Sequence, residues 1–273
     1  MQVSSNIDLG IREIRQLTSF TKEKGADYTE YALTAFKRRV EGFMISEKCD
    51  FDTLMTKLAS PEFLDHFAAR IAVGETELFR DPTFWILLKN TYVANIIKDH
   101  GRARIWLPLC ASGEELYSLA IMLKESGLSD RVEIFVSSLS NESLETIKRG
   151  LMDVEKLEIG TKNYSRFQGV SQLTNYYKTS GNTVTFEKSL LVNAKFYKED
   201  LTFNHDFVHM NLILFRNKMI YFTPTLQYKV CDIMHGKLAV KGLLALGILE
   251  EIESNNSKFA ALNKNESIFQ RKS

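Results

Sequence analysis

Three short clusters in this sequence carry side chains able to do chemistry. The first lies in "RIWLPLCASGEELYSLAIML", Arg104 to Leu123, where an apolar run breaks at Ser112-Gly113 and resumes with helical spacing. A strand, a tight turn and a helix in that order make a ligand-binding corner in α/β proteins. Here the corner has one glycine and is followed by Glu114 and Glu115. Carboxylates at this point repel a phosphate, so the corner suits a ligand with a cationic end, an amine or a sulfonium. A simpler account places both acids in the first helical turn, where negative charge favours the helix dipole. The second cluster is "GETELFRDPTFW", with Glu77, Arg80 and Asp81 set among Phe79, Phe84 and Trp85. An arginine among aromatics can position a carboxylate through a forked pair, or serve as an interdomain ion pair. Pro82 should interrupt any helix ending near Arg80 and mark a junction. The third is "LFRNKMIYF", where an apolar strand runs into Arg216 and Asn217, with Tyr221 one helical turn beyond. Polar side chains at a strand's end face the crevice or cap the strand.

The elements that must position these clusters follow from periodicity. In "YTEYALTAFKRRVEGFM" the apolar residues recur at 3.6 spacing from Tyr28, which predicts a helix capped by Asp27. Shorter helices are expected over Asp52–Leu58 and after Pro61, with Ser60 as N-cap. From Arg104 strands and helices alternate: "RIWLPL" then Glu114–Glu125, "VEIFVSS" then Glu142–Arg149, "NLILFR" then a helix near Thr225–Met234, and "GLLALGI". That alternation argues a parallel, doubly wound α/β sheet. "KFAALNKNESIFQRKS" reads as a closing hairpin. A small β insert is expected at about 159–193, where "SGN" sits between "NYYK" and "TVTFE". The division expected is an N-terminal helical domain over 1–73 and an α/β domain over 74–273.

Composition narrows the classes. The chain has 273 residues and a formal net charge of +1, so no global attraction to nucleic acid is expected. Its three cysteines are scattered without a C-x-x-C pair, which argues against a disulfide framework or a zinc site. The first residues are polar, and no run of about 20 apolar residues occurs, so neither a signal peptide nor membrane insertion is expected. The expectation is a soluble protein of the reducing cytoplasm.

Taken in order, these segments resemble the CheR-type chemotaxis receptor methyltransferases. "GADYTEYALTAFKRRVEGFM" is similar to the family's basic N-terminal helix. "ETELFRDPTFW" resembles its E-T-x-F-F-R-D segment, "CASGEELYSLAIML" its C-S-T-G-E-E-P-Y-S-I-A segment, and "LFRNKMIYF" its F-C-R-N-V-x-I-Y-F segment. The resemblance implies a Rossmann-like class I methyltransferase fold, S-adenosylmethionine as cofactor with S-adenosylhomocysteine as product, and transfer to receptor glutamates. It implies that Arg80 and Tyr221 form the methyl-transfer pocket. Thr76, Glu114, Glu115, Arg216 and Asn217 would lie along the methionine end, with Asp200 and Leu201 near the adenine. Lys37, Arg38 and Arg39 would face a methyl-accepting chemoreceptor or a similar coiled coil. A glutamate acceptor is ionised at neutral pH and needs no general base; it needs positioning.

The sequence also departs from the family pattern. The second strand should end in an acid that binds the ribose hydroxyls, but Ser138 stands there, and Ser140 replaces a second Asp. Losing a charge-assisted contact costs on the order of 1–3 kcal/mol. "LGILEE" stands where the family has G-H-S-E, Leu78 replaces an aromatic, Leu116 a proline and Asn211 an Asp. An alternative therefore stays open: a methyltransferase-like module with weak or no catalysis that binds a receptor or signalling partner. A small-molecule methyltransferase on the same fold is a third reading.

Overall fold

The computed structural model describes residues 7–72, 76–200, 202–252 and 257–272. Four helices lead: α1 (Ile11–Glu23), α2 (Leu33–Ser46), α3 (Phe51–Lys57) and α4 (Pro61–Ile71). α2 buries Phe36, Val40, Phe43 and Met44, the stripe that the spacing demanded. Asp50 caps α3 by accepting the Thr53 N–H at 2.9 Å, and Ser60 caps α4 ahead of Pro61. α2 starts at Leu33 rather than Tyr28. Tyr28 and Tyr31 are buried as expected, but the backbone at Tyr31 bridges to Phe222, and Asp27 closes a turn on Thr29 instead of capping a helix. A tertiary backbone pairing has overridden a helical side-chain pattern.

Pro82 starts a helix rather than ending one. α5 (Pro82–Leu87) passes through a π-helical stretch at Leu88–Val93 into α6 (Ala94–His100). At the first helical position proline loses no hydrogen bond, so it is favoured there. The alternating segment follows as β1 (Ala103–Leu107), α7 (Glu114–Glu125), β2 (Val132–Ser138), α8 (Asn141–Arg149), β3 (Leu151–Asp153), α9 (Lys156–Phe167), β4 (Tyr177–Ser180), β5 (Thr183–Phe186), β6 (Ala194–Lys198), β7 (Met210–Leu214), α10 (Pro224–Lys237), β8 (Leu238–Ala245), β9 (Phe259–Asn263) and β10 (Ile268–Arg271).

Among the described residues, seven strands form one sheet in the order β6-β2-β1-β7-β8-β10-β9. β1 runs parallel to β2 and β7, while β10 is antiparallel to both its neighbours, which is the closing hairpin. A second sheet, β3-β5-β4, is the insert. It draws its first strand from Leu151–Asp153, ahead of the expected start, and α9 occupies part of the span read as β-rich. Leu157, Tyr164 and Phe167 line α9's buried side, but polar residues between them hide the period. Edge strand β6 also escaped the sequence reading, since Lys195 and Lys198 flank the aromatics of "AKFYK" without a period of two, and it pairs on one side only.

The side chains of each inner strand alternate between two apolar clusters. Ile105 and Leu107 of β1 join α7 and the insert on one face, and Trp106 joins the other. That second cluster runs without a break from Trp106, Ile213 and Leu244 into Tyr28, Phe36, Phe43 and Phe67 of the leading helices. Helices α1–α4 are thus packed over one sheet face, close to the carboxyl ends of its strands.

Candidate functional site

The order of the parallel strands reverses at β1, between β2 and β7, and in open α/β sheets ligands bind outside the carboxyl ends at that point. The chain turns sharply there. Gly113 sits at φ +95 as α7 begins, a conformation open to glycine. Phe79, Asp81, Leu109 and Asn217 are non-glycine residues with left-handed backbones, and all four lie in segments bordering the crevice. Each such residue costs of order 1–3 kcal/mol and persists where its surroundings hold it.

Asp81 is held by a buried ionic cluster, and Phe79 by the Ser118 hydroxyl, which accepts its N–H at 2.8 Å. The Arg216 side chain is 1% exposed and donates from Nη2 to Asp81 Oδ2 at 2.6 Å. Its Nη1 lies 3.8 Å from Glu115 Oε1 and donates to the Arg80 carbonyl at 3.4 Å. Its guanidinium stacks 4.0 Å from the centre of the Phe84 ring. Burial pushes the Arg216 pKa down, while Glu115 and Asp81 oppose that shift. Strand β7 is thereby tied to the junction that carries Arg80, and the sequence clusters containing Arg80, Glu115 and Arg216 meet in space.

The two acids of the opening corner differ. Glu114 is fully buried and engaged by Lys156 Nζ and Ser112 Oγ. Glu115 faces the arginine cluster, with Lys218 Nζ 3.5 Å from its Oε2. Both acids are met by cations of the chain itself, as burial requires. Lys218 stands where the family motif has valine, so this internal ammonium is a feature of this chain. Cys110, beside them, is buried with its thiol pushed up to about 12 by burial, so it stays protonated and is no nucleophile.

One residue that braces the site was not singled out in the sequence. Glu250 is buried, and its carboxylate accepts the N–H groups of Asn217 at 2.7 Å, Gly247 at 2.6 Å and Ile220 at 3.3 Å. It braces the Asn217 loop in its left-handed turn. Gly247 permits the approach, since a Cβ there would sit 2.5 Å from Asn217 Oδ1. The signal was present: Gly247 and Glu250 keep the first and last letters of G-H-S-E, although the two middle letters differ.

The leading helices reach the same mouth. Arg39 lies 5.2 Å from the centre of the Tyr221 ring and donates to the Ala72 carbonyl at 2.9 Å. Lys37 is paired with Asp8 and Glu41, whereas Arg38 is exposed. Of the three basic residues, one turns inward, one is neutralised and one faces solvent. Thr76 and Arg80 are half-buried on the junction, and Leu201 lies outside the described residues.

α4 also fastens onto α8. Asp65 accepts the N–H groups of Asn141 and Glu142, the Ser140 hydroxyl and the Lys198 ammonium. A carboxylate from another segment thus serves the α8 N-terminus, where an acid at position 140 would meet it as a like charge. Burial would raise the Asp65 pKa, but Lys198 and these donors hold it down to about 2, from an ordinary value of 3.8. Its stabilising contribution is therefore present above pH about 4 and fades as pH falls toward 2. In thermal melts, the deficit of Asp65→Asn relative to the unaltered protein should shrink steadily between pH 5 and pH 2. A pH-independent gap would contradict this.

At the other end of the crevice a polar group is left unsatisfied. Ser138, 1% exposed at the tip of β2, has a hydroxyl without a hydrogen-bond partner. On the adjacent strand end Glu199 donates its N–H to the Ser138 carbonyl at 2.8 Å. Beyond lies a cleft of about 470 Å³, walled by Leu139, Glu199 and Asp200 on one side and by Tyr28, Leu64 and Asp65 on the other. Asp200 closes a turn by accepting the N–H of Thr202.

The CheR methyltransferase, SAM binding domain matches residues 74–268. The chain belongs to the CheR methyltransferase family. A Pseudomonas putida protein carrying the name methyltransferase Cher3 is 26% identical, over 99% of this chain and 100% of its own length. A chemotaxis protein methyltransferase of Listeria innocua is also 26% identical, over 85% of this chain and 86% of its own. The N-methyltransferase NodS of Bradyrhizobium japonicum WM9, solved with S-adenosylhomocysteine, covers 71% of this chain and 70% of its own at 12% identity, with a TM-score of 0.33. S-adenosylmethionine is the cofactor of this CheR-family chain, and its residues fit it. The orphaned Ser138 hydroxyl offers hydrogen-bonding capacity at one end of the crevice, and the paired acids and arginines frame the other. No helix among the described residues is long and apolar enough to cross a membrane.

Proposed function

We propose that this CheR-family methyltransferase esterifies glutamate side chains of a methyl-accepting chemoreceptor or a similar coiled-coil protein. The observation that carries this reading is that Arg80 is tied to Arg216 at the end of β7, while in the loop that follows β7 Arg39 lies over Tyr221, which leaves arginines to meet an anionic acceptor. When bound, the cofactor supplies an electrophilic methyl on a sulfonium. The chain's own work is positional. Arg80 orients the acceptor carboxylate, Tyr221 and Arg39 wall the pocket, and Arg216 and Asn217 shape the methionine end. Thr76 and Glu115 complete that end, Glu114 supports it through Lys156, and Ser138, Asp200 and Leu201 serve the adenosine. Exposed Arg38 faces the receptor helix. No residue needs to take a proton, because a glutamate of ordinary pKa is already ionised.

The direct test incubates the protein with methyl-labelled S-adenosylmethionine and a receptor signalling fragment. Base-labile label on glutamates, absent when those glutamates are replaced by alanine, is the expected result. Bound S-adenosylhomocysteine with no transfer would favour instead a partner-binding module, the reading to which Ser138 points. The internal pair makes a further prediction. In Lys218→Met, Glu115 loses its ammonium and faces the ligand with more uncompensated charge. The preference for the sulfonium S-adenosylmethionine over the uncharged thioether S-adenosylhomocysteine should rise by about tenfold, or roughly 1.4 kcal/mol, in calorimetric titration. An unchanged ratio would mean that Glu115 does not sense the ligand's charge.

A further inference from the structure

The parallel strands of the main sheet have a second set of ends. β1, β2 and β6 begin at Ala103, Val132 and Ala194, at the opposite end of the strands from the cofactor crevice. A cleft of about 350 Å³ opens across these starting residues. It is bordered by four cations, Arg102, Arg104, Arg131 and Lys195, and by two acids, Asp130 and Glu133. The whole chain carries a formal charge of only +1, so positive charge is concentrated here.

The fold accounts for part of that charge. Glu133 is met by Lys195 Nζ and, at 3.6 Å, by Arg104 Nε. Arg104 also lies 4.9 Å from the centre of the Phe135 ring. Arg102 and Arg131 differ. Both are exposed, and their side chains have no hydrogen bond or ion pair among the described residues. Guanidiniums left open at the rim of a concavity suit carboxylates, which they can meet through forked hydrogen bonds.

The cleft continues past its charges. Asp130, Val132, Val192 and Asn193 also border a narrower slot of about 150 Å³. Ala120 and Leu123 of α7, Ile134 of β2 and Leu190 give that slot apolar walls. Asn193 fixes the seam between the two. Its side-chain amide donates to the Ser129 carbonyl at 2.7 Å, and its own carbonyl accepts the Ile134 N–H at 2.9 Å. Val192, on the seam, is 77% exposed, so an apolar side chain faces solvent where the slot opens. An inorganic anion or a nucleic-acid backbone would use the basic half alone. A peptide with acidic and aliphatic side chains uses both halves.

We propose that this cleft docks a short acidic segment of a partner protein, with carboxylates on Arg102 and Arg131 and one aliphatic side chain in the slot beside α7. The inference does not depend on the function proposed above. Because the cleft lies at the far end of the strands, a docked segment leaves the cofactor crevice open.

The test is fluorescence anisotropy of the full chain with labelled peptides in which a short run of aspartates precedes one leucine at graded spacings. The best spacing should bind at micromolar strength, weaken as salt is raised, and be indifferent to saturating S-adenosylhomocysteine. Serine in place of its leucine should weaken binding by about tenfold. Arg102→Ala combined with Arg131→Ala should weaken it by about 10–100-fold. Val192→Asp, which sets a like charge on the seam, should weaken it by about tenfold. All three side chains are exposed, so thermal melts of the variants should match the unaltered protein. Failure of every peptide to bind below millimolar concentration would overturn the proposal. So would equal binding by the double variant, or equal binding of the serine peptide. Displacement of the peptide by S-adenosylhomocysteine would seat it in the crevice and overturn the proposal as well. A single-stranded RNA that outcompetes every peptide, and loses its hold in the double variant, would reassign the cleft to nucleic acid.

Discussion

Arg80→Ala is expected to lower methyl transfer by about 10²–10³-fold while the protein keeps its fold. The fold should survive because the Arg80 backbone is anchored independently of its side chain. Its carbonyl accepts the Trp85 indole N–H at 2.9 Å and the Arg216 guanidinium at 3.4 Å, and its N–H is bonded to the Glu77 carbonyl at 3.2 Å. The side chain is half-buried and close enough to Arg216 to bear on that group's pKa, and in the role proposed for it above it meets the acceptor. Removing it leaves the acceptor carboxylate without its fork and free to rotate. Arg80→Lys keeps the charge but not the planar fork, so it should fall between the two. The measurement is the initial rate of label transfer beside a circular-dichroism melt. A rate within twofold of the unaltered enzyme would remove Arg80 from the pocket.

The second large effect is structural. Glu250→Ala strips the acceptor from three buried or half-buried N–H groups, those of Asn217, Gly247 and Ile220. Unsatisfied donors of this kind, serving a charged acceptor, should cost about 3–5 kcal/mol together. For a chain of this size that is roughly 6–20 °C in melting temperature. The loss should also weaken S-adenosylhomocysteine binding, because Asn217 holds φ +58 against its own preference and relaxes once the brace is gone. Glu250→Gln should sit between, since its oxygen can still serve Asn217 and Gly247 while its amide meets the Ile220 N–H donor to donor. Urea unfolding of the three proteins orders them. Equal stabilities would show that the three bonds contribute nothing beyond solvent.

Much of this protein was legible in one dimension. Periodicity and capping residues gave α3, α4, α7, α8 and strands β1, β2 and β7 to within a residue or two, because those signals are local: Ser60 before Pro61, and the mostly apolar runs of the three strands. The motifs around Arg80, Glu115 and Arg216 were legible too, since each is a short contiguous string. Partners were not legible. Whether Glu114 or Glu115 joins the arginine cluster depends on Lys156, 42 residues away, and on Lys218. That Arg39 turns inward while Arg38 does not depends on Tyr221 lying against α2, and the late start of α2 depends on a backbone bridge to Phe222. Glu199 looks like an ordinary surface acid in the string and Glu250 is marked only by the outer letters of a divergent motif, yet both are buried in the fold, Glu250 as a brace. Local preference sets an element's type within a few residues of chain. The charge state, partner and purpose of a buried side chain are set by segments tens to hundreds of residues away, and only the packed chain brings these together.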